Sequence, residues 1–471
     1  MMKERTRNRI FIVLLLSCII SSTVQTALNT ALTPIMQQMN ITAGTAQWLA
    51  SSYSLVMGVM VLATAYLIKR FPSRPLYLGF MGVFTLGLGL AAVSTSFSVL
   101  LLGRILQAIG CGLLMSLTQV VILSAYPEKE RSSVMGIYGL AVCAAPVLAP
   151  TLAGILIDVA GWQMIFWCSF VLSLVVMAAG FFCMKNVTPN EAVKFDILSL
   201  LFCSGGFVGF VLGLGNWSGH GFFSLPVIGT ITFGVLLLLL FVRRQLKMEC
   251  PFLNLIIFTN REFRLAVIVS MLLYCSMMAV STLLPIYNQS LRGLAATVSG
   301  LITMPGSLIT AVSSPIAGKL YDKIGIRRLF LSGALLIFGG HFVLCFLTET
   351  TPIILIALLF MIRQCGIGML MMTSVTWGMS TLNKKYISDG TAVISSLRTI
   401  AGAMGSALFV SLMTAAGAGQ SGIDLTGMRT AFAGVAVLSL FLLILVGLKV
   451  GRRLGTDAKG EQSQRMIHIK Q

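Results

Sequence analysis

The stretch Gly139–Asp158, GLAVCAAPVLAPTLAGILID, is long and apolar enough to cross a bilayer. It nevertheless holds Pro146 and Pro150 four residues apart, among Ala144, Ala145, Ala149, Ala153 and Gly154. Residues four apart share one helix face, so the two prolines stack. Each removes a backbone hydrogen bond, which a soluble helix rarely tolerates but a membrane helix absorbs where neighbours re-satisfy the freed carbonyls. The small side chains beside them let another helix approach closely. The stretch reads as a bent, smooth-faced spanning helix in a protein that changes shape around a central path.

Composition agrees. Of 471 residues, 57% are hydrophobic and only 10% charged, against about 25% charged in a soluble domain, and the mean hydropathy is +0.94. The chain is therefore expected to be an all-α polytopic membrane protein whose first partner is the lipid bilayer. A formal charge of +19 would suggest nucleic acid in a soluble domain, but there is no basic, aromatic surface domain to bind it, and placement matters more than the sum. The ten cysteines are scattered through apolar runs without a CxxC pair and read as small buried hydrophobes. No metal site and no cofactor is expected. The start, MMKERTRNR followed by IFIVLLLSCII, has the look of a signal peptide, but the apolar run continues past Cys18 and fits a first spanning helix.

At roughly 20 apolar residues per crossing, about fourteen spans fit, the first near 10–34, the fifth near 133–158 and the last near 429–449. An even number puts both termini on one side. All but five of the 33 Lys and Arg fall on that side; Arg292 and Arg429 lie opposite, and Arg104, Arg363 and Arg398 lie within spans. By the positive-inside rule both termini are cytoplasmic, in a multi-pass protein of the cytoplasmic membrane. An internal repeat also shows: AYLIKRFPSR (65–74) matches GKLYDKIGIRR (318–328), and LLGRILQAIGCG (101–112) matches FMIRQCGIG (360–368), at nearly the same offset. The organisation expected is a six-helix bundle over 1–190, two extra helices and a connector over 191–262, a second six-helix bundle over 263–450, and a polar, disordered cytoplasmic tail over 451–471.

With these features in place the sequence resembles the fourteen-span drug/proton antiporters of the major facilitator superfamily over nearly its whole length. Asp322, Gly325, Arg327 and Arg328 are similar to the family's basic loop, and Arg104, Gln107, Gly110 and Gly112 to its R-x-x-Q-G-x-G fourth span. Ala145, Pro146, Ala149, Pro150 and Gly154 are similar to its antiporter signature. Trp48 and Tyr53, the connector PFLNLIIFTNREF from Pro251, and SSLRTIAGAMGSA around Arg398 are lesser matches. The chain departs from the pattern at Lys69 and Pro72, where the family has aspartate and glycine. Three signature glycines are Ala145, Ala149 and Ala153, and Val24 stands where the first span usually has an acid.

The resemblance implies export of amphipathic drugs or toxic compounds by proton antiport and alternating access, in a fold for which a monomer suffices. On that basis Gln25, Asn29, Arg104, Gln107, Gly110, Gly112, Asp158, Arg363 and Arg398 are the expected substrate and proton pathway. The signature residues form the hinge, and Lys69, Arg70, Arg74, Gly318, Asp322, Gly325, Arg327 and Arg328 form gating loops that close the cytoplasmic mouth.

Proton exchange needs a group whose affinity moves toward neutrality, yet none of the 14 acids lies mid-span. Asp158, ending the fifth span, reads either as a helix-end residue in water or as an outer proton port. His341, the one histidine inside a span, reads as a packed, hydrogen-bonded residue. Each intramembrane arginine is unfavourable by roughly 2.5–3.5 kcal/mol at a helix centre, and such residues are usually functional. For Arg104 the carbonyls freed by Pro146 or Pro150 are the expected partners. MLMMTSVTW (369–377) is a candidate cavity wall. Three arginines without a deep carboxylate also suit a second reading, export of an anionic or lipid-like substrate. A membrane-embedded transferase would need paired carboxylates at a membrane face, where only Glu128 and Glu130 stand close, and an ATP-driven pump would need a P-loop, which is absent.

Overall fold

The long apolar runs fold as helices because, out of water, a helix satisfies its own backbone. The computed structural model describes residues 4–187, 196–217, 221, 223–248, 255–383, 386–417 and 423–450. Lys194, the connector's first residues from Pro251 and the tail after Val450 lie outside them, as do the side chains of Lys69, Glu128, Lys129, Cys143 and Asp322. Among the described residues, fourteen helices are long and apolar enough to cross a membrane. They are α1 Glu4–Met39, α2 Trp48–Arg70, α3 Ser73–Ala92, α4 Phe97–Ala125, α5 Glu128–Ala160, α6 Gln163–Cys183, α7 Ile197–Gly215, α8 Leu225–Lys247, α9 Arg261–Ile286, α10 Ala296–Ile324, α11 Ile326–Leu344, α12 Ile353–Ser380, α13 Ile387–Ala416 and α14 Leu425–Lys449.

α1 runs past the expected end at 34 because the carbonyl that Pro34 leaves free finds a new donor. That carbonyl, on Thr30, accepts the Gln289 amide at 2.9 Å, just beyond α9. α5 is likewise one continuous helix through Pro146 and Pro150.

Helices α1 to α6 pack together, as do α9 to α14, and the two groups meet chiefly where α5 packs on α10 and α2 on α13, with α1 touching α9 and α10. The helix pair α7–α8 rests on α13 and α2, where the Ser411 hydroxyl donates to the Gly215 carbonyl. α8 buries only Val227, Gly234, Phe241 and Gln245, which leaves most of its apolar surface for lipid.

The two repeated basic segments turn differently. Between α10 and α11 the chain uses Gly325 at φ +77, a left-handed conformation that favours glycine. Between α2 and α3 it uses Phe71 (φ −113) and Pro72 (φ −59) in extended backbone, so the glycine missing from this loop is not needed there.

Candidate functional site

α4 brings Arg104 into the first bundle with no exposure at all. Its Nε donates to the Leu49 carbonyl (3.3 Å) and its Nη1 to Gln107 Oε1 (2.8 Å), while Gln107 Nε2 donates to the Gly87 carbonyl on α3 (2.9 Å). The spacing of three residues puts Gln107 on the same face one turn on, so it can hold the guanidinium and tie α4 to α3. The guanidinium also lies 4.1 Å from the centre of the Tyr53 ring on α2, a cation–π contact. The partners expected from Pro146 and Pro150 are thus replaced by α2 and by Arg104's own helix, which lie closer than α5.

Arg104 and Tyr53 line a narrow cavity between the bundles, of about 10 Å³, together with Gln25, Thr26 and Asn29 of α1, Met278 and Thr282 of α9, and Ser406 of α13. Tyr53 is fully buried and its hydroxyl has no hydrogen-bond partner. Among the described residues no carboxylate lines the cavity. The structure therefore gathers Gln25, Asn29 and Arg104 from the expected pathway. Thr26, Met278, Thr282 and Ser406 were not singled out by the sequence, since nothing local marks which polar face of α1, α9 or α13 meets the other bundle.

The remaining expected residues lie elsewhere. Gly110 packs against Phe80 and Phe84 of α3, and Gly112 against Met57 and Met60 of α2, with no room for a side chain. Arg398 reaches over the Tyr274 ring on α9 (5.6 Å), and its buried Nε has no partner. Arg363 sits in a separate polar cluster with His341 and Gln364. The methionine-rich segment 369–377 is not among the lining residues; Ser374 accepts from Ser270 of α9 and Trp377 stacks edge-on against Phe330 of α11.

At the α5 end, Asp158 accepts the backbone N–H groups of Ala296 (3.2 Å) and Thr297 (2.8 Å), the first two of α10. Such donors lack partners in their own helix. One turn back, a Cβ on Gly154 would meet the Ala296 carbonyl at 2.5 Å, and one on Gly300 the Pro150 carbonyl at 2.5 Å. Thr151 donates to the Gly300 carbonyl at 3.2 Å. Pro150 and Gly154 of the signature therefore lie in a close helix crossing between the bundles, while Ala149 and Ala153 are fully and nearly fully buried. Other hydrogen bonds join the bundles from this end down to mid-depth: Thr33 with Ser290, Ser51 with Ser406, and Ser396 with the Gly58 carbonyl.

At the opposite, basic end, Arg74 Nη2 donates to the Phe181 carbonyl at the end of α6 (2.9 Å), and Arg327 Nη2 to the Gly447 carbonyl at the end of α14 (3.3 Å). These repeat-related arginines cap orphan carbonyls inside their own bundles; these bonds do not reach across a mouth. Arg70, Gly318 and Arg328 are exposed.

The chain's relatives agree with this architecture. The sequence profile of the Major Facilitator Superfamily matches residues 14–406. The chain is 38% identical over 403 residues to the lincomycin resistance protein LmrB of Bacillus subtilis (strain 168), covering 84% of this chain and 83% of that one. It is 28% identical over 400 residues to the riboflavin transporter RibZ of Clostridioides difficile (strain 630), covering 84% and 86%. Among solved structures it superimposes on a bacterial homologue of the human lysosomal transporter Spinster with a TM-score of 0.70 at 13% identity, covering 95% of this chain and 97% of that one. This chain is a transporter, a fourteen-span member of the Major Facilitator Superfamily related to its drug-transporting branch.

Proposed function

We propose that the protein is a secondary exporter that moves amphipathic small molecules outward through the Arg104 cavity by alternating access, in exchange for protons. The observation that carries this reading is the cavity itself, enclosed between two bundles whose closest crossing, α5 on α10, joins them at one end. The bundles over 1–190 and 263–450 are the bodies that rock, and 191–262 is an added pair beside them. The skewed Lys and Arg distribution supports a cytoplasmic basic end and cytoplasmic termini, so that the Asp158 end faces outward and is closed in this state. Drug-transporting relatives support the cargo class. The membrane potential supplies about 2.3 kcal/mol per charge per 100 mV.

The test is uptake into everted vesicles with an imposed pH gradient, using lincomycin and the lipophilic cation ethidium as probes. Accumulation of either that collapses with the gradient is expected; accumulation that survives its collapse would refute antiport. A second reading, export of anionic amphiphiles, is favoured by the cavity's pairing of Arg104 with an unpartnered Tyr53 hydroxyl and no carboxylate. A fluorescent anionic amphiphile transported in the same vesicles while ethidium is not would select it.

A further inference from the structure

We propose that His341 is a proton-binding site of the transport cycle, and that its occupancy is passed to the central cavity through Arg363 and α9. The inference rests on the antiport reading above and supplies the group which that reading lacks.

His341 lies on α11 and is 1% exposed; Arg363 on α12 is fully buried. Arg363 Nε donates to His341 Nε2 at 2.8 Å. A guanidinium has donors only, so Nε2 must be the accepting nitrogen and the ring must be neutral, with its hydrogen on Nδ1. That Nδ1 is buried without a partner. The close fit is built in: a Cβ on the neighbouring Gly340 would meet Arg363 Cβ at 2.7 Å.

Protonation changes this arrangement by simple chemistry. A proton that adds to Nε2 takes the lone pair that now accepts from Arg363. The hydrogen bond breaks, and two cations stand side by side in a poorly solvated place. No other bond is made or broken, and the proton leaves from the same atom when Arg363 returns. Meanwhile Arg363 remains tied by Nη1 to Gln364 Oε1 (3.1 Å) and by Nη2 to the carbonyls of Ser276 (3.4 Å) and Met277 (3.2 Å) on α9. The next residue, Met278, and Thr282 one turn further both line the cavity. Repulsion at His341 is thus applied to the stretch of α9 that touches cargo, and cargo pressing on that stretch bears on His341 in return, as linkage requires.

The surroundings leave His341 as the titratable side of the pair. α14, which packs on α11, buries the apolar Met428, Phe432 and Val435, and its Arg429 is engaged with the Leu347 carbonyl at 2.9 Å. α10 has no titratable side chain between Ala296 and Gly318. On α12 the guanidinium faces the Phe360 ring at 5.3 Å. His341 is also one turn from the end of α11 that lies on the Asp158 side, the side from which protons enter in the proposed orientation.

Two measurements test the proposal. With isotope-labelled histidine in nanodiscs, the three histidines, His220, His341 and His468, are resolved by NMR, and His341 is assigned by its loss in His341→Gln. Protonation of His341 as the pH is lowered is expected; a ring that stays neutral to about pH 5 would overturn the proposal. Glutamine can still accept from Arg363 but cannot titrate. His341→Gln is therefore expected to keep lincomycin–lincomycin counterflow and lose at least about tenfold of pH-gradient-driven accumulation, one factor of ten being 1.4 kcal/mol. Gradient-driven accumulation unchanged in this variant would also overturn it. If His341 titrates but the wild type shows no gradient dependence, the antiport reading fails and the proton site stands.

Discussion

Asp158 Oδ2 lies 2.8 Å from the backbone nitrogen of Thr297, so the last turn of α5 caps the first turn of α10 across the bundle interface. A carboxylate at a helix N-terminus gains from both the orphan donors and the helix dipole, together about 1–2 kcal/mol. Of the two readings the sequence leaves for Asp158, the helix-end one gains a concrete partner here: its carboxylate ties α5 to α10.

Removing that cap should open this end. Asp158→Ala is expected to raise the population open on this side by about 5–30-fold, the equivalent of 1–2 kcal/mol, and Asp158→Asn, which keeps one acceptor, by less. Maleimide labelling of Thr151→Cys in a cysteine-free background reads the change, because Thr151 is engaged at the same crossing. Unaltered labelling in Asp158→Ala would mean that the cap does not govern the closed state.

A methyl group at the crossing should act in the same direction for a steric reason. In Gly300→Ala the new Cβ would meet the Pro150 carbonyl at 2.5 Å, and backbone on both sides gives way reluctantly. Overpacking of this kind is unfavourable by roughly 1–3 kcal/mol. Transport is expected to fall at least about tenfold with expression and monodispersity retained. Gly318→Ala, which meets open space, serves as the control and should be neutral.

What the sequence could say follows from the range of each signal. Fourteen apolar runs and a duplicated basic loop are properties of single segments, and the helices and the charge asymmetry were legible from them. Arg104 with Gln107 was legible too, since three residues on a helix is one face. The partners of Asp158 were not, because backbone N–H groups at Ala296 and Thr297 leave no mark on side-chain identity. Nor was the Arg363–His341 bond, which depends on Gly340 letting two helices approach. Arg104 was misassigned to carbonyls of α5 because proline spacing shows which carbonyls are free but not which helix they face. For Pro34 the donor, Gln289, lies in the other bundle.

The extra pair α7–α8 offers a pH test away from the pathway. Arg244 Nη2 lies 2.9 Å from Asp196 Oδ1. Burial pushes the Asp196 carboxyl up, but hydrogen bonds from Arg244 and from the Ser199 hydroxyl and N–H more than reverse this, and it lies below its ordinary value. A carboxyl depressed on folding contributes stability that is present above its unfolded value, about 3.9, and lost as pH falls through the folded one. Asp196→Asn should therefore melt below the wild type at pH 7, with the difference closing as pH drops under about 4. A gap that persists at pH 3 would assign the effect to packing.

Arg104 separates a clamp from a cargo contact. Its Nε and Nη1 serve Leu49 and Gln107, while Tyr53 beside it lines the cavity and its buried hydroxyl has no hydrogen-bond partner. Hydrogen bonds to a buried charge are each worth about 1.5–3 kcal/mol, and a lysine ammonium cannot reproduce the planar fork. Arg104→Lys is expected to lower the melting temperature and cut transport about tenfold or more. Tyr53→Phe removes a hydroxyl that bonds nothing in the protein, so it should leave the melting temperature unchanged. If cargo is held here, Tyr53→Phe raises KM for the transported probe by several-fold at constant protein level. If Tyr53→Phe leaves KM alone while Arg104→Lys changes stability and rate together, the pair is a clamp between α2 and α4, and cargo binds on the Met278 and Thr282 side of the cavity.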